Sequence, residues 1–363
     1  MTPVLGPRAL NRAFLARQLL LDRSPMSAAD AIEWLVGLQA QAPHPPYFGL
    51  WTRLAGFQIA DLVALYERRA VVRIALMRST LHLVTAPDAL YLRPLTQSVV
   101  GAGLARRAPD VDVERLAAVS RAVVEEAPRQ FAELGRLLGP HFPETPPDAL
   151  AVAVRALLPL VQVTPRGIWG TNGPVAHTTI EHWLGRPLHA NPSPEVFVRR
   201  YLGAFGPATV ADMQKWSGLT RLRTAFARLP DLLTFHDAHG RVLYDLPDAP
   251  RPDPDMPAPV RFLAEWDNAL MGHADRTRIL PDEHFPRVFT GNGLILGTVL
   301  VDGVVAATWR IARRGRRTAT LHVAPLVPLR RAERAEVTEE GTRLLAFAAA
   351  DAESSAVVVD DPA

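Results

Sequence analysis

At 363 residues and 48% hydrophobic composition, the chain carries enough apolar material for roughly two to four compact units. It has no cysteine, which excludes disulfides, thiolate nucleophiles and cysteine-ligated metal centres; it also lacks a signal-peptide layout and any apolar run near the roughly 20 residues that span a bilayer, so the expected location is the cytoplasm. The formal charge is only +3, from 40 basic and 37 acidic residues, so an anion-binding face must come from clustering.

The basic residues are arginines apart from Lys215. Planar guanidinium forks suit phosphate, although a GC-rich coding sequence produces the same bias. Arg313, Arg314, Arg316 and Arg317 form the densest cluster, readable as a phosphate contact or as a solvated hairpin end.

In chain order, the spacing predicts a first helix over 8–22, with Leu10, Phe14, Leu15 and Leu19 on its apolar side. A second covers 27–38, with Ser27 as N-cap and with Ile32, Leu35, Val36 and Leu38 at amphipathic spacing; Pro43, Pro45 and Pro46 end it. Gln39 and Gln41 fall at or just past that end. There the two side chains face one way only if the backbone has become extended, and two neutral amides then share one small volume. The alternative is that they satisfy backbone groups at a helix terminus.

A third helix over 59–69 leads into a β-rich run over 71–84. Arg78, Thr80 and His82 occupy alternate positions of that strand, so they would share one face and offer a phosphate contact through Arg78, or form a salt-bridged sheet edge. Three helices followed by a β-ribbon is the order of a winged helix. The order returns from about residue 112, with helices over 113–138 and 147–158, a strand over 160–164 and the turn Pro165-Arg166-Gly167, where Arg166 is a further candidate for contacting DNA. A third copy has helices over 194–205, 209–216 and 220–229, then strands over 232–235 and 242–245 joined by a hairpin turn.

Residues 247–258 are too proline-rich for regular structure and read as a linker. Beyond it, strands over 293–301 and 304–311 flank the hairpin signal Asp302-Gly303, a further strand covers 318–323, and a last helix over 331–351 packs through Val337, Leu344, Leu345 and Phe347. The tail after Ser354 is expected to fray.

Several phrases carry a resemblance. Leu38-Gln39-Ala40-Gln41-Ala42-Pro43 followed by Pro46-Tyr47-Phe48-Gly49-Leu50-Trp51, then 77–84, 201–209, 216–219 and Asp267-Asn268-Ala269-Leu270-Met271-Gly272-His273-Ala274-Asp275-Arg276, together resemble the AlkZ-type winged-helix DNA glycosylases over nearly the whole chain. The resemblance implies an α+β fold of three tandem winged helices arranged as a C around a DNA-sized channel, with a barrel-like, β-rich C-terminal domain bearing a terminal helix. The corresponding boundaries are 8–100, 110–190, 193–247 and 259–363. It makes Gln39 and Gln41 the catalytic Gln-x-Gln element. That branch, as distinct from the Gln-x-Asp branch, implies removal of bulky N7-guanine adducts, and unhooking of interstrand crosslinks, for self-resistance in a bacterial producer of DNA-alkylating compounds. The implied partner is double-stranded DNA carrying alkyl adducts or crosslinks, bound at the nucleoid by a monomer with no obligatory protein partner, no cofactor and no metal.

The residues fit such chemistry. Hydrolysis of an N-glycosidic bond passes through an oxocarbenium-like state and needs a good leaving base and a water on the opposite face. N7 alkylation supplies the first. Gln39 and Gln41 can orient the water through their amide oxygens, although neither has a pKa suited to deprotonating it. With Lys215 as the only lysine, a Schiff-base lyase step is not expected. His273, Asp275 and Arg276 either face the DNA channel or form a buried network tying the C-terminal domain to the third repeat. His177 and His182 lack the spacing of metal ligands on one helical face. The competing function is a non-catalytic winged-helix regulator, which would usually dimerise and show sequence preference.

Overall fold

The computed structural model describes residues 3–104, 108 and 110–362. The N-terminal part runs β1 (Val4–Leu5), α1 (Pro7–Arg17), α2 (Ala28–Trp34), β2 (Leu38–Gln39), α3 (Pro45–Arg53), α4 (Ile59–Glu67), β3 (Val71–Ala75) and β4 (Leu81–Thr85). Ser27 caps α2 by accepting the Asp30 N–H at 3.2 Å. The expected long second helix is therefore cut short at Trp34, and Gln39 lies in a strand. The prolines after Gln41 do not end α2, which has already closed at Trp34. Pro45 and Pro46 occupy the first positions of α3, where a missing N–H costs nothing, and sequence reading overlooked that helix.

The run over 71–84 is a hairpin and not one strand. A single turn of 3-10 helix over Met77–Ser79 reverses the chain, with left-handed backbone at Arg78 (φ +54°) and Ser79 (φ +58°). Arg78, Thr80 and His82 therefore do not share a strand face. Likewise, the helix expected over 113–138 breaks into α7 (Val113–Glu126) and α8 (Phe131–Leu138), with the helices α5 (Ala86–Leu95) and α6 (Gln97–Val100) preceding them. The cause is Pro128, before which Ala127 is extended.

After the break come β5 (Arg129–Gln130), α9 (Pro147–Leu157), β6 (Leu160–Gln162) and β7 (Ala176–Thr179). One six-stranded sheet, in the order β2-β4-β3-β6-β7-β5, joins these strands to the first hairpin. The seam is β3 against β6, where Arg73 pairs with Gln162 and Ile74 with Val161. Every residue of β3 is buried, so this strand has no free edge to offer solvent.

Next, α10 (Ile180–Leu184) precedes α11 (Pro194–Phe205), α12 (Val210–Ser217), α13 (Arg223–Ala227), β8 (Leu233–Asp237) and β9 (Val242–Asp245). Ser193 and Thr209 cap α11 and α12. The N-terminal β1 adds to β8 in parallel. The C-terminal sheet has the order β10-β11-β12-β13-β14, from β10 (Arg261–Leu263), β11 (Gly297–Val301), β12 (Val304–Arg314), β13 (Thr318–Pro325) and β14 (Ser354–Val359). The short α14 (Phe285–Val288) precedes β11, and α15 (Arg331–Ala348) packs on the sheet through Val337, Leu344 and Leu345. The tail does not fray: β14 pairs in parallel with β13 from Thr318↔Ser354 to Val323↔Val359, covering what would be a bare edge.

The parts share cores. One cluster joins Phe14, Trp216 and Phe205 to Leu270 and Leu300, and a second joins Ile32 and Leu50 to Phe262, Leu321 and Leu344. Buried ion pairs reinforce the same contacts, Arg17 with Asp245 and Arg53 with Asp267. Among the described residues, no helix is long and apolar enough to cross a membrane.

Candidate active site

The glutamines follow an unusual helix exit. Gly37 N–H closes α2 by donating to Ile32 C=O at 2.8 Å, with Val36 at φ +56° and Gly37 at φ +91°. A β-branched residue rarely adopts positive φ, and Val36 is held there with its side chain wholly buried. At position 37 only glycine fits, because a Cβ would lie 2.5 Å from Val84 Cγ1 and 3.0 Å from Leu83 O. Asn268 Nδ2 then donates to Gly37 O at 2.6 Å, anchoring the exit to the C-terminal half of the chain.

From there the backbone extends along β4, with Gln39 opposite His82 and Ala40 N–H donating to Leu81 O at 2.7 Å. The return bond of an antiparallel ladder is missing. Ala40 O is taken by buried Arg73, whose Nη2 donates at 2.6 Å. Leu81 N–H donates instead to Gln41 Oε1 at 3.1 Å, so the Gln41 side chain stands in for its own strand's backbone. Gln39 Oε1 accepts from Arg78 Nη2 at 2.8 Å. Arg78 also donates through Nη1 to Trp216 O, bridging the first hairpin to the end of α12.

Each amide oxygen thus meets one fixed donor, which sets the plane and sense of the amide, and each keeps a second lone pair for a water. Gln39 is 6% exposed, whereas Gln41 is exposed. Burial, with Arg276 adding to it, lowers the Arg78 guanidinium to about 10. His82 behind them is pushed down to about 3 by burial and then by Arg78, so its ring is neutral. Its Nδ1 lies 3.0 Å from Thr80 O and carries the hydrogen, since the carbonyl can only accept.

The other sequence candidates divide by burial. Thr80 donates to Met77 O at 3.0 Å and shapes the turn. His82 is fully buried, which takes it away from any DNA-facing surface. His273 is likewise in the core, 1% exposed, with Nε2 2.9 Å from Phe205 O and its ring edge-on to Phe14. Asp275 pairs with Arg241 at 2.7 Å and accepts from Thr277; these contacts outweigh partial burial and hold its carboxyl below the usual range. Arg276 stacks over Phe289 and donates from Nε to Leu270 O at 2.9 Å. The structure therefore gathers Gln39, Gln41 and Arg78, with Arg276 near enough to depress Arg78, and Arg166 near enough to depress His44 and Arg73. His273 and Asp275 belong to the packing of the 273–278 segment on α11 and the β8–β9 turn.

Two supporting residues escaped sequence reading. Arg73 is a lone charge inside the apolar run Val71-Val72-Arg73-Ile74, which is itself a signal for a buried polar task. Asn268 falls within the 267–276 phrase that carries the resemblance, but its task depends on a contact 231 residues away.

Comparison with known proteins agrees with this architecture. The family described as DNA glycosylase AlkZ-like matches residues 32–347. A Streptomyces sahachiroi protein described as an interstrand DNA cross-link repair glycosylase is 27% identical over 333 residues, covering 82% of this chain and 85% of the relative. The solved structure of Streptomyces sahachiroi DNA glycosylase AlkZ superposes with a TM-score of 0.81 at 21% identity, covering 98% of this chain and all of the other, and so shares its mixed α+β fold. With the family match running through the glutamine pair, its Arg78 clamp and the C-terminal sheet, the chain belongs to the AlkZ-like family of DNA glycosylases.

Proposed function

We propose that this glycosylase belongs to the Gln-x-Gln branch and is monofunctional, hydrolysing the N-glycosidic bond of N7-alkylguanine in duplex DNA. Its substrates include bulky natural-product adducts and interstrand crosslinks, and it serves repair and self-resistance. The cross-link repair description of the 27%-identical relative supports the substrate class. In this reading, segments 8–100, 110–190 and 193–247 act as winged-helix units lining a C-shaped channel, and 259–363 forms the β-rich fourth part. The protein acts as a monomer at the nucleoid and uses no cofactor.

The observation that carries the reading is the fixed setting of both amides, Gln39 by Arg78 and Gln41 by Leu81 N–H. An N7-alkylguanine is already cationic. As its bond to C1′ breaks, the electron pair passes to the ring and neutralises it, leaving an oxocarbenium-like sugar. A water held on the free lone pairs of Gln39 and Gln41 attacks C1′ from the other face and loses its proton late, to solvent. The glutamines contribute position, not basicity. Arg166 and Arg276 serve the phosphates and Arg78, its fork taken by Gln39 and Trp216 O, orients the amide instead, while Thr80, His82, His273 and Asp275 hold the elements that present them. The exposed position of Lys215 on α12 supports hydrolysis without a Schiff base.

The test is a duplex bearing one N7-methylguanine. Free N7-methylguanine by mass spectrometry, with a strand that breaks only on later alkaline heating, is the expected result. A borohydride-trapped protein–DNA adduct contradicts the monofunctional assignment, and no free base contradicts the substrate assignment.

A further inference from the structure

In an unbroken antiparallel ladder, Leu81 N–H would donate to Ala40 O in exchange for the bond that Leu81 O receives from Ala40 N–H. Here the pair is opened. Ala40 O accepts from Arg73 Nη2 at 2.6 Å, and Leu81 N–H turns to Gln41 Oε1 at 3.1 Å. Arg73 stands on β3, and β4 lies between β3 and β2 in the sheet, so its side chain crosses a whole strand to reach the residue after Gln39. The outer strands of such a trio lie about 9–10 Å apart. The position is unfavourable for a charge. Arg73 is 1% exposed, its titratable neighbours are Tyr66, Arg166 and Tyr47, and no carboxylate pairs with it among the described residues. Its Nε and Nη1 have no partner there, and neither has Oε1 of Gln162, its register neighbour on β6. A buried guanidinium with most of its fork unused is a poor device for holding a sheet together. What it changes is the acceptor that Leu81 N–H finds.

We propose that Arg73 is a positioning residue for base release: by occupying Ala40 O it keeps the ladder open and diverts Leu81 N–H to Gln41, which sets the Gln41 amide for the attacking water. The inference rests on the water-positioning reading of Gln41 and names what keeps that amide in place. Without the guanidinium, Ala40 O and Leu81 N–H are the next pair of the ladder, and a backbone bond between them orders no side chain. Gln41 is exposed, so once its donor is withdrawn its amide turns freely in solvent. Gln39 keeps its own donor, Arg78, in either case. Arg73 thus acts on one glutamine of the two.

The experiment is a double-mutant cycle on single-turnover release of N7-methylguanine from duplex DNA by the native protein, Arg73→Met, Gln41→Ala and the combined variant. Urea unfolding and DNA anisotropy are recorded for each, and Arg73→Gln is run beside Arg73→Met as a second neutral replacement. Arg73→Met should lower the rate by about tenfold in the native background, with DNA affinity held within about twofold. Beside Gln41→Ala the same change should alter the rate by less than about twofold, because nothing remains for Arg73 to position. A crystal structure of Arg73→Met should show Leu81 N–H returned to Ala40 O. A loss by the same factor in both backgrounds overturns the proposal, since Arg73 then acts otherwise than through Gln41. An undiminished rate in Arg73→Met where Gln41→Ala is slow overturns it as well, as does a Leu81 N–H still seated on Gln41 in the variant. Failure of both neutral replacements to fold makes Arg73 a structural residue and has the same consequence. Release by Gln41→Ala as fast as by the native protein overturns instead the reading of Gln41 on which the proposal rests.

Discussion

Arg78 Nη2 donates to Gln39 Oε1 at 2.8 Å, and this one bond ties the exit of α2 to a turn in which Arg78 itself sits at φ +54°. Because Arg78 also reaches Trp216 O, the Gln39 amide is oriented from the third helical segment as well as from its own hairpin. Arg78→Met should therefore lower the single-turnover rate of base release by about 10- to 100-fold, the cost of a misplaced water. Arg78→Lys should not rescue it, since an ammonium lacks the fork that serves two acceptors. Rates measured under single turnover, alongside DNA affinity by anisotropy, check this; full activity in Arg78→Met contradicts it.

Gln41 differs in that its oxygen is held by a backbone donor, Leu81 N–H at 3.1 Å. Gln41→Glu keeps that acceptor and adds a general base beside the water. Its rate should fall away in acid near the ordinary glutamate pKa of about 4.3, whereas the native protein, with neutral amides, should lack that limb. The pH–rate profiles of the two proteins are the measurement. Profiles of the same shape would mean that Gln41 does not face the water.

Three neutral histidines set the acid stability. Burial is the chief cause that pushes His82 and His273 down to about 3 and His177 to about 4. Their unfolded value is about 6.5. Between those limits the unfolded chain binds more protons than the folded one, so stability is intact above about pH 6.5 and is lost as pH falls toward 4. Each histidine contributes a slope approaching about 1.4 kcal/mol per pH unit in that window. Urea unfolding at several pH values should show the decline, and His177→Gln should flatten it. A slope that His177→Gln leaves unchanged contradicts this assignment.

Arg53 and Asp267 form a wholly buried pair, at 2.8 and 2.7 Å, that fastens α3 to the segment carrying Asn268. Removing one partner leaves an unpaired buried charge, so Asp267→Ala should cost about 3–5 kcal/mol. Because Asn268 holds Gly37 O, the same variant should also slow base release at temperatures where it remains folded. Thermal unfolding and activity of one preparation test both effects, and an unchanged midpoint contradicts the first.

Elements whose signals are local were legible in the sequence. The helix Pro194–Phe205 with its Ser193 cap and the turn at Asp302-Gly303 both follow from neighbouring residues. Failures came where one residue type has two meanings. Pro45 and Pro46 open a helix as readily as they end one, and the branched run around Arg78 hides a reversal that only the left-handed backbone of Arg78 and Ser79 reveals. The tail after Ser354 carries no punctuation because its order comes from the β13 edge it joins. At the candidate site, the glutamine pair was visible as two amides at an element's end. Its setting was not, since Arg73, Arg78 and Asn268 converge on it through contacts that span 33, 39 and 231 residues.

The most direct measurement is release of free base from duplex DNA carrying N7-alkylguanine by the native protein and by the Gln39→Ala/Gln41→Ala double variant, with DNA affinity and thermal unfolding recorded in parallel. Release by the native protein, abolished in a variant that still folds and binds DNA, is the result this account predicts. Undiminished release by the variant, or loss of folding and DNA binding along with release, would contradict a water-positioning role and leave the two glutamines as structural acceptors for Arg78 and Leu81 N–H.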